Sequence, residues 1–430
     1  MKYLVAIPLM LLMTACTPEP EDTESPTKVE VAKTAEGYVL VRGGEPYRVR
    51  GAGMGRDDIE RFASHGGNSI RTWSTANDYQ DTRALLDEAQ AHGVTVALGL
   101  SMTAERHGFD YDDPEAVAAQ LETVREEVLR YKDHPAVLFW LVGNELNHSY
   151  SNPAVWDAVN DVAKMIHELE PNHPVTTQIS GLKPDVIAEI QGRAPEIDFI
   201  SFQMYGSLFG LPDQVAAIGF DEPFMMTEWG TIGYWEMEKT SWGTPTELTS
   251  SEKAGVFLRA HNEVLARFDG QLIGSYAFLW GQKQERTPTW FGMLTEDGEE
   301  TETIDVMHYI WTGTWPANRT PRVDSIQLDG KSYKKSVVLE PGKTYDAMFE
   351  VFDHEGDPLT YRWEIKPESE SKKSGGDRED PLPNLEGFLS DSESASTTVT
   401  APAPGRYRLF AYAYDGQGHT AHANIPFLVE

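Results

Sequence analysis

Between Tyr47 and Trp311, short apolar runs alternate with longer segments whose apolar residues recur every three to four positions. The runs predict strands at 47–54, 68–74, 94–102, 137–147, 174–179, 197–205, 223–230 and 272–281. The periodic segments predict helices at 57–65, 82–92, 114–132, 153–169, 184–191, 212–218, 251–268 and 301–311. Asp112-Asp113-Pro114 and Asn152-Pro153 are N-terminal helix signals, whereas the helix at Ser251 opens without a full capping box. The run from Val137 to Val142 carries no polar residue, as expected of a strand covered on both faces. A helix after every strand, over about 270 residues, predicts a (β/α)8 TIM barrel. A doubly wound open sheet is the alternative, but no glycine-rich phosphate loop follows the first strand.

After Trp315-Pro316 the period changes. Short alternating runs at 336–339, 344–352, 359–365, 396–400, 407–414 and 421–428, separated by turn residues, predict a C-terminal all-β sandwich. The polar stretch 366–383 reads as a mobile loop, and 29–51 as a hairpin that plugs the bottom of the barrel. The expected division is 1–16 leader, 17–28 acidic linker, 29–318 barrel and 319–430 sandwich. The break after Trp315 further predicts a barrel that works without the sandwich.

Composition narrows the functional classes. With 36 basic and 68 acidic side chains the net charge is −32. That excludes nucleic acid, anionic lipid and polyanionic substrates held in a basic groove. It favours a neutral substrate in a salty or extracellular setting. The single cysteine, Cys16, rules out an intramolecular disulfide. It follows Met1-Lys2, an apolar segment and Thr14-Ala15, the shape of a bacterial signal peptide. Small residues before a cysteine resemble a lipobox, which implies a lipidated Cys16 on a bacterial cell envelope, in the outer membrane. A lipid is then the sole membrane contact, because the apolar segment is too short to span a bilayer. An ordinary cleaved signal is the alternative.

Candidate chemistry lies at the carboxyl ends of the predicted strands, where barrels of this kind hold their active sites. Those ends offer Arg71 and Trp73, Asn144 and Glu145, Gln203 and Tyr205, Glu228 and Trp229, and Trp280. A carboxylate ending a buried strand costs several kcal/mol or so to desolvate unless it is paired or used. Glu145 and Glu228 do so on strands that face each other, so they predict one pocket with two carboxylates. Retaining cleavage of a glycosidic bond needs such a pair, about 5–5.5 Å apart. Arg71 and Tyr205 are placed to hold the charge of one, and Asn144 to bond a sugar 2-hydroxyl. Trp280 is the expected sugar platform, with Tyr234 and Trp235 as a cleft wall in the loop after strand seven. Asp353, Glu355, Asp357 and Asp415 read as solvated turns, with calcium binding the alternative. The histidines lack metal-ligand spacing, so no catalytic metal and no cofactor are implied.

Asn144-Glu145, Thr227-Glu228-Trp229-Gly230, Arg71 in Gly67-Asn68-Ser69-Ile70-Arg71, and Tyr205 resemble clan A glycoside hydrolases, especially families two and five. The resemblance covers residues 38–315. It implies that Glu145 is the acid/base and Glu228 the nucleophile. Leu146 stands where many members have proline, and Gln203 where asparagine or histidine is usual. The histidine after strand three is matched only by the nearby His107. The stretches Asp353–Trp363 and Pro404–Tyr407 resemble a polycystic-kidney-disease or other immunoglobulin-like module, which implies a spacer. The expectation is therefore an exported, monomeric retaining hydrolase of a neutral β-linked glycan. A transglycosidase with the same residues and a non-catalytic glycan-binding lipoprotein are the alternatives. If Cys16 carries the anchor, Cys16→Ser releases the protein from host membranes in a fractionation experiment; unchanged partitioning refutes it.

Overall fold

The computed structural model describes residues 25–55, 58–75, 81–373 and 376–430, so Cys16 and the leader lie outside the described residues. A hairpin, β1 (Val29–Thr34) and β2 (Gly37–Arg42), is extended by the two-residue β3 (Glu45–Pro46). The barrel strands are β4 (Gly51–Gly53), β5 (Ser69–Arg71), β6 (Thr95–Leu100), β7 (Val137–Val142), β8 (Val175–Ser180), β9 (Phe199–Met204), β10 (Phe224–Trp229) and β11 (Leu272–Ala277). All pair in parallel, and β11 closes on β4. The helices between and after them are α1 (Ile59–Ser64), α2 (Thr82–Ala91), α3 (Pro114–Tyr131), α4 (Ala154–Leu169), α5 (Pro184–Arg193), α6 (Leu211–Ile218), α7 (Ser250–Arg259) and α8 (Glu302–Thr312). None is long and apolar enough to cross a membrane.

The uniform apolarity of β7 follows from two covers. Phe139 and Leu141 point into the barrel beside Ala97, Phe199, Met225 and Tyr276. Val137, Trp140 and Val142 point out and pack under the helices. Each such side chain contributes about 1.5–3 kcal/mol by leaving water. The hairpin docks on the amino ends of the strands, where Val29 N–H donates to Asn172 O (2.7 Å) and Tyr38 N–H to Gly270 O (2.6 Å). Helix α7 does have a capping box. It begins one residue earlier than expected, with Thr249 as N-cap and Glu252 returning the bond. The expected long helix ends at Arg259 and continues as a π turn and a 3₁₀ turn.

The C-terminal part is two sheets around one apolar core. One is ordered β12 (Arg322–Leu328), β14 (Thr344–Phe352), β16 (Ser396–Thr400). The other is ordered β13 (Val337–Leu339), β18 (Thr420–Val429), β17 (Gly405–Tyr414), β15 (Thr360–Pro367). Strand β12 was not foreseen, because Val-Asp-Ser-Ile-Gln-Leu carries a slipped register: its pairing with β14 shifts between Val323 and Ser325. Asp353, Asp357 and Asp415 do converge. Asp353 accepts from the N–H groups of Glu355 and Asp357, and Asp415 from those of Gln417 and His419.

A polar network buried between the barrel and these sheets argues against a barrel that works alone. Glu247, 1% exposed, accepts from Lys253 Nζ (2.6 Å), Thr287 Oγ1 (2.7 Å), Thr289 Oγ1 (2.8 Å) and, across the junction, Asn424 Nδ2 (2.7 Å). Arg408 binds Glu368 through two 3.0 Å bonds and reaches Pro245 O at 2.9 Å. Burial works against the Glu247 carboxylate, but Lys253 and Arg408 outweigh it and hold its pKa at about 2. Lys253 is pushed down, because burial disfavours its ammonium more than Glu247 favours it. Attraction and desolvation therefore nearly cancel within the pair, and its weight shows when one member is removed. Glu247→Ala should cost about 3–5 kcal/mol, read from urea unfolding, by stranding Lys253. The contribution of the carboxylate is complete above the ordinary glutamate pKa of 4.5 and is lost as pH falls toward 2. A loss below 1 kcal/mol at neutral pH would refute this role.

Candidate active site

Both glutamates arise where a buried strand ends. After β7 the chain turns sharply through Gly143 (φ 73°) and Glu145 (φ 48°). A Cβ at Gly143 would fall 2.4 Å from the Leu146 side chain, so the position requires glycine. Left-handed backbone at Glu145 is uncommon for a residue with a side chain and is held by its neighbours. Glu145 N–H donates to Gln178 O (3.1 Å), and Gln178 Nε2 to Gly143 O (2.8 Å). Asn147 exchanges two bonds with the Ser180 backbone (2.9 and 3.1 Å). The turn is thus laced to β8.

Glu228 sits one residue before the end of β10, where pairing with β9 slips between Met226 and Glu228. It is 6% exposed and surrounded by donors. Arg71 Nη1, fully buried at the end of β5, and Trp73 Nε1 (2.9 Å) both bond Oε1. Tyr205 OH bonds Oε2 at 2.8 Å. Burial, and then the charge of Glu228, push the Tyr205 phenol well up, so it stays a donor. The other arm of Arg71, Nη2, donates to Asn144 Oδ1 at 2.6 Å. One guanidinium therefore ties the nucleophile candidate to the residue beside the acid candidate.

Glu145 lacks such a cation bond. Burial first, and the charge of Glu228 second, raise its pKa to about 7, against weaker pulls from Ser180, Arg106 and Arg71. The Gln203 amide can place its nitrogen 2.8 Å from Asn144 Oδ1 or 2.9 Å from Glu145 Oε1. With Glu145 ionised the second orientation gives it a donor and lets the amide oxygen accept from Arg71 Nη2 at 3.3 Å, but it also turns that oxygen onto Asn144 Oδ1 (2.8 Å) and Gln178 Oε1 (3.2 Å), two acceptors that the first orientation satisfies. With Glu145 protonated the first serves, the amide oxygen then accepting its proton.

These groups line a cavity of about 670 Å³. Arg71 lies behind it. Trp73, Asn144, Glu145, Gln203, Tyr205, Glu228, Tyr234 and Trp235 face it, as do Phe278 and Phe291. Trp235 is 50% exposed at the rim, edge-on to Tyr205. Its loop is fixed by Glu236, which accepts from the N–H groups of Gly206 (2.8 Å), Ser207 (2.6 Å) and Gly233 (3.0 Å).

Two expected contacts are corrected. Trp229 is buried against Phe257 of α7 (ring centroids 5.3 Å), because successive strand residues face opposite ways and Glu228 takes the inward side. Trp280 is also away from the cavity. Strand β11 ends at Ala277 and Phe278 takes the pocket position. Trp280 packs against Phe62 and Trp311 and donates to Asp58 Oδ2 at 3.0 Å. His107 lies at the rim, 3.2 Å from Asp377. Sequence reasoning missed His148, Lys183, Lys283, Glu285 and Gly376, all of which line the cavity. For Lys283 and Glu285, joined at 2.7 Å, the signal was their place just after the last strand. A second concavity, of about 790 Å³, lies between α7 and β12; its Glu252 is already bound by Tyr333 (2.5 Å) and Lys334 (2.9 Å).

Residues 56–231 match the family model for the TIM barrel domain of family 2 glycosyl hydrolases. Mannan endo-1,4-beta-mannosidase F of Aspergillus clavatus is 24% identical over 167 residues, 32% of this chain and 38% of that protein. The crystal structure of a Bacteroides uniformis beta-glucuronidase aligns with a TM-score of 0.53 at 14% identity, over 94% of this chain and 48% of that one. An FMN-binding beta-glucuronidase from Facaelibacterium prausnitzii L2-6 gives 0.50 at 14%, over 94% and 59%. The chain thus spans between about a third and three fifths of these relatives. At such identities the structural likeness shows the fold, and the family-model match supports a glycosidase.

If Glu228 is the second cause of the Glu145 shift, Glu228→Gln should lower the Glu145 midpoint from about 7 while leaving it above 4.5, since burial remains. Carboxyl ¹³C NMR titration reads this. An unmoved midpoint would show that the two do not interact. The raised pKa also has a stability cost: the contribution of Glu145 is full below 4.5 and lost as pH rises through about 7.

Proposed function

We propose that this protein is a retaining glycoside hydrolase acting on a neutral β-linked poly- or oligosaccharide, with Glu145 as acid/base and Glu228 as nucleophile. One observation carries the reading: a carboxyl held near pKa 7 stands in the same cavity as a carboxylate gripped by three donors. In the first step Glu145 gives its proton to the glycosidic oxygen as the C1–O bond breaks, and a Glu228 oxygen bonds C1 from the opposite face. The leaving sugar departs as an alcohol and the glycosyl ester remains. In the second step the ionised Glu145 takes a proton from water, whose oxygen bonds C1 while the ester breaks. Two inversions give net retention, and one water is consumed.

The residues around the pair fit the two charge states. Arg71, Trp73 and Tyr205 aim the nucleophile, and Asn144, held by Arg71, is the group to bond the 2-hydroxyl. The faces of Trp235, Tyr234, Phe278 and Phe291 suit the C–H faces of pyranose rings. Since the first step needs protonated Glu145, activity should fall as pH rises through about 7. We further infer that the C-terminal sheets are an immunoglobulin-like module and that the protein is anchored through Cys16.

Substitution of each glutamate separates the roles. Glu228→Ala should be inactive even on aryl glycosides, with azide restoring turnover and giving the inverted anomer. Glu145→Ala should still form the intermediate from substrates with good leaving groups, and azide should then accelerate its release with net retention. Swapped anomers would reverse the assignment, and single inversion by the parent enzyme would sink the retaining mechanism.

A further inference from the structure

The loop between β15 and β16 belongs to the C-terminal sheets, yet its tip lies at the mouth of the barrel. Gly376 lines the cavity of Glu145 and Glu228, and its carbonyl accepts from Lys283 Nζ at 2.8 Å. Asp377 Oδ1 is 3.2 Å from His107 Nε2 and 3.5 Å from Arg106 Nη1, both on the loop after β6. Glu379, 8% exposed, accepts from Arg286 N–H (3.2 Å) and Ser369 Oγ (3.1 Å). The tip is therefore fastened at one end to the loop after β11 and at the other to the loop after β6. In the closed sheet β4 and β5 are the strands between those two. The expected mobile loop is, in its described residues, a bridge.

A free surface loop has no reason to bury a carboxylate at its base or to lend a carbonyl to a cavity lysine. The carbonyl puts Gly376 in the wall of the cavity, and Glu379 fixes the base of the bridge behind it. At Gly376 the backbone is left-handed (φ 81°), which favours glycine there, and a Cβ would stand 3.3 Å from Lys283 Nζ, the flexible end of the side chain that binds the tip. The opposite arc is different: Lys183 and Trp235 there are exposed. A polymer threaded through a cleft needs an exit at both ends. Among the described residues, Lys183 and Trp235 leave the side of β8 to β10 exposed, while on the side of β11 the bridge brings Gly376 into the lining.

We propose that residues 376–379 of the C-terminal domain form the end wall of the substrate cleft, so that the enzyme takes the ends of β-linked chains and not their interior bonds. This rests on the glycosidase reading above, and it makes the domain a determinant of specificity where a spacer was expected. Two changes test it. One replaces 371–378 by two glycines, which keeps the Glu368–Arg408 pair and Glu379. The other is Asp377→Ala, which releases Arg106 and His107 without touching the core. The substrates are β-1,4-mannohexaose and β-1,4-glucohexaose labelled at the reducing end, and the readout is the ratio of internal to terminal cleavage. The parent should cleave terminally, and the shortened loop should raise the ratio by about tenfold or more, the factor that 1.4 kcal/mol represents. Asp377→Ala should move it the same way by less, and it decides the matter if the shortened chain does not fold. Internal cleavage by the parent, or a ratio unchanged in folded variants, overturns the wall. A parent that cleaves no glycoside strikes only the hydrolase reading. Calorimetric titration then decides the wall: the shortened loop should tighten the hexaoses and not the bioses, and an equal change in both overturns it.

Discussion

Two buried carboxyl groups in one cavity cannot both carry charge cheaply, and the site is arranged around that constraint. Arg71 lies closer to one of them. Its Nη1 bonds Glu228 and its Nη2 bonds Asn144, so the cation lies nearer one glutamate than the other. Glu145 is left with burial and the field of its neighbour, and both push its proton affinity up. Two identical side chains thus meet different surroundings, in part because of where one guanidinium points. The arginine costs a great deal to bury alone. It is tolerated at the end of β5 because three acceptors, Thr227 O among them, surround it.

The framework for that geometry was legible because it follows from periodicity. A strand covered on both faces must be apolar throughout, so 137–142 and 224–226 could be found, and the glutamates that end them stood out. Arg71, Asn144, Gln203 and Tyr205 were found by the same rule, as polar residues at strand ends. The rule failed where it was applied without its own alternation. Glu228 and Trp229 are consecutive on one strand and cannot both face inward. Trp280 was read as ending a strand that stops at Ala277, so Phe278 has the place given to it.

What sequence could not show was assembled from distant stretches. The residues that finish the cavity lining lie in 278–291 and at Gly376, and no spacing rule links either to 145. The junction between barrel and sheets was equally hidden. Glu247 and Asn424 are each unremarkable polar residues in the sequence, and only contact reveals that they share a buried bond. The change of period marked the boundary between barrel and sheets and carried no information about the bonds that cross it. A period reports which face of an element is covered, and not what covers it.

On the proposed reading of Glu145 as acid/base, that residue serves in both protonation states, and a rigid environment would favour one. Gln203 answers part of this, because an amide presents a donor and an acceptor on the same plane. Turned one way its oxygen meets the protonated Glu145 and its nitrogen meets Asn144 Oδ1. Turned the other way its nitrogen meets the ionised carboxylate and its oxygen takes a bond from Arg71 Nη2. The second turn also sets that oxygen 2.8 Å from Asn144 Oδ1 and 3.2 Å from Gln178 Oε1, so the ionised state gains a donor at the expense of two acceptor contacts. Asparagine, one methylene shorter, would bring its amide less far from β9, and histidine would have to change its own protonation to do the same. Gln203 is therefore matched best to the protonated Glu145, the state in which burial and Glu228 hold that residue up to about pH 7, and it meets the ionised one only by facing its oxygen toward Asn144 Oδ1.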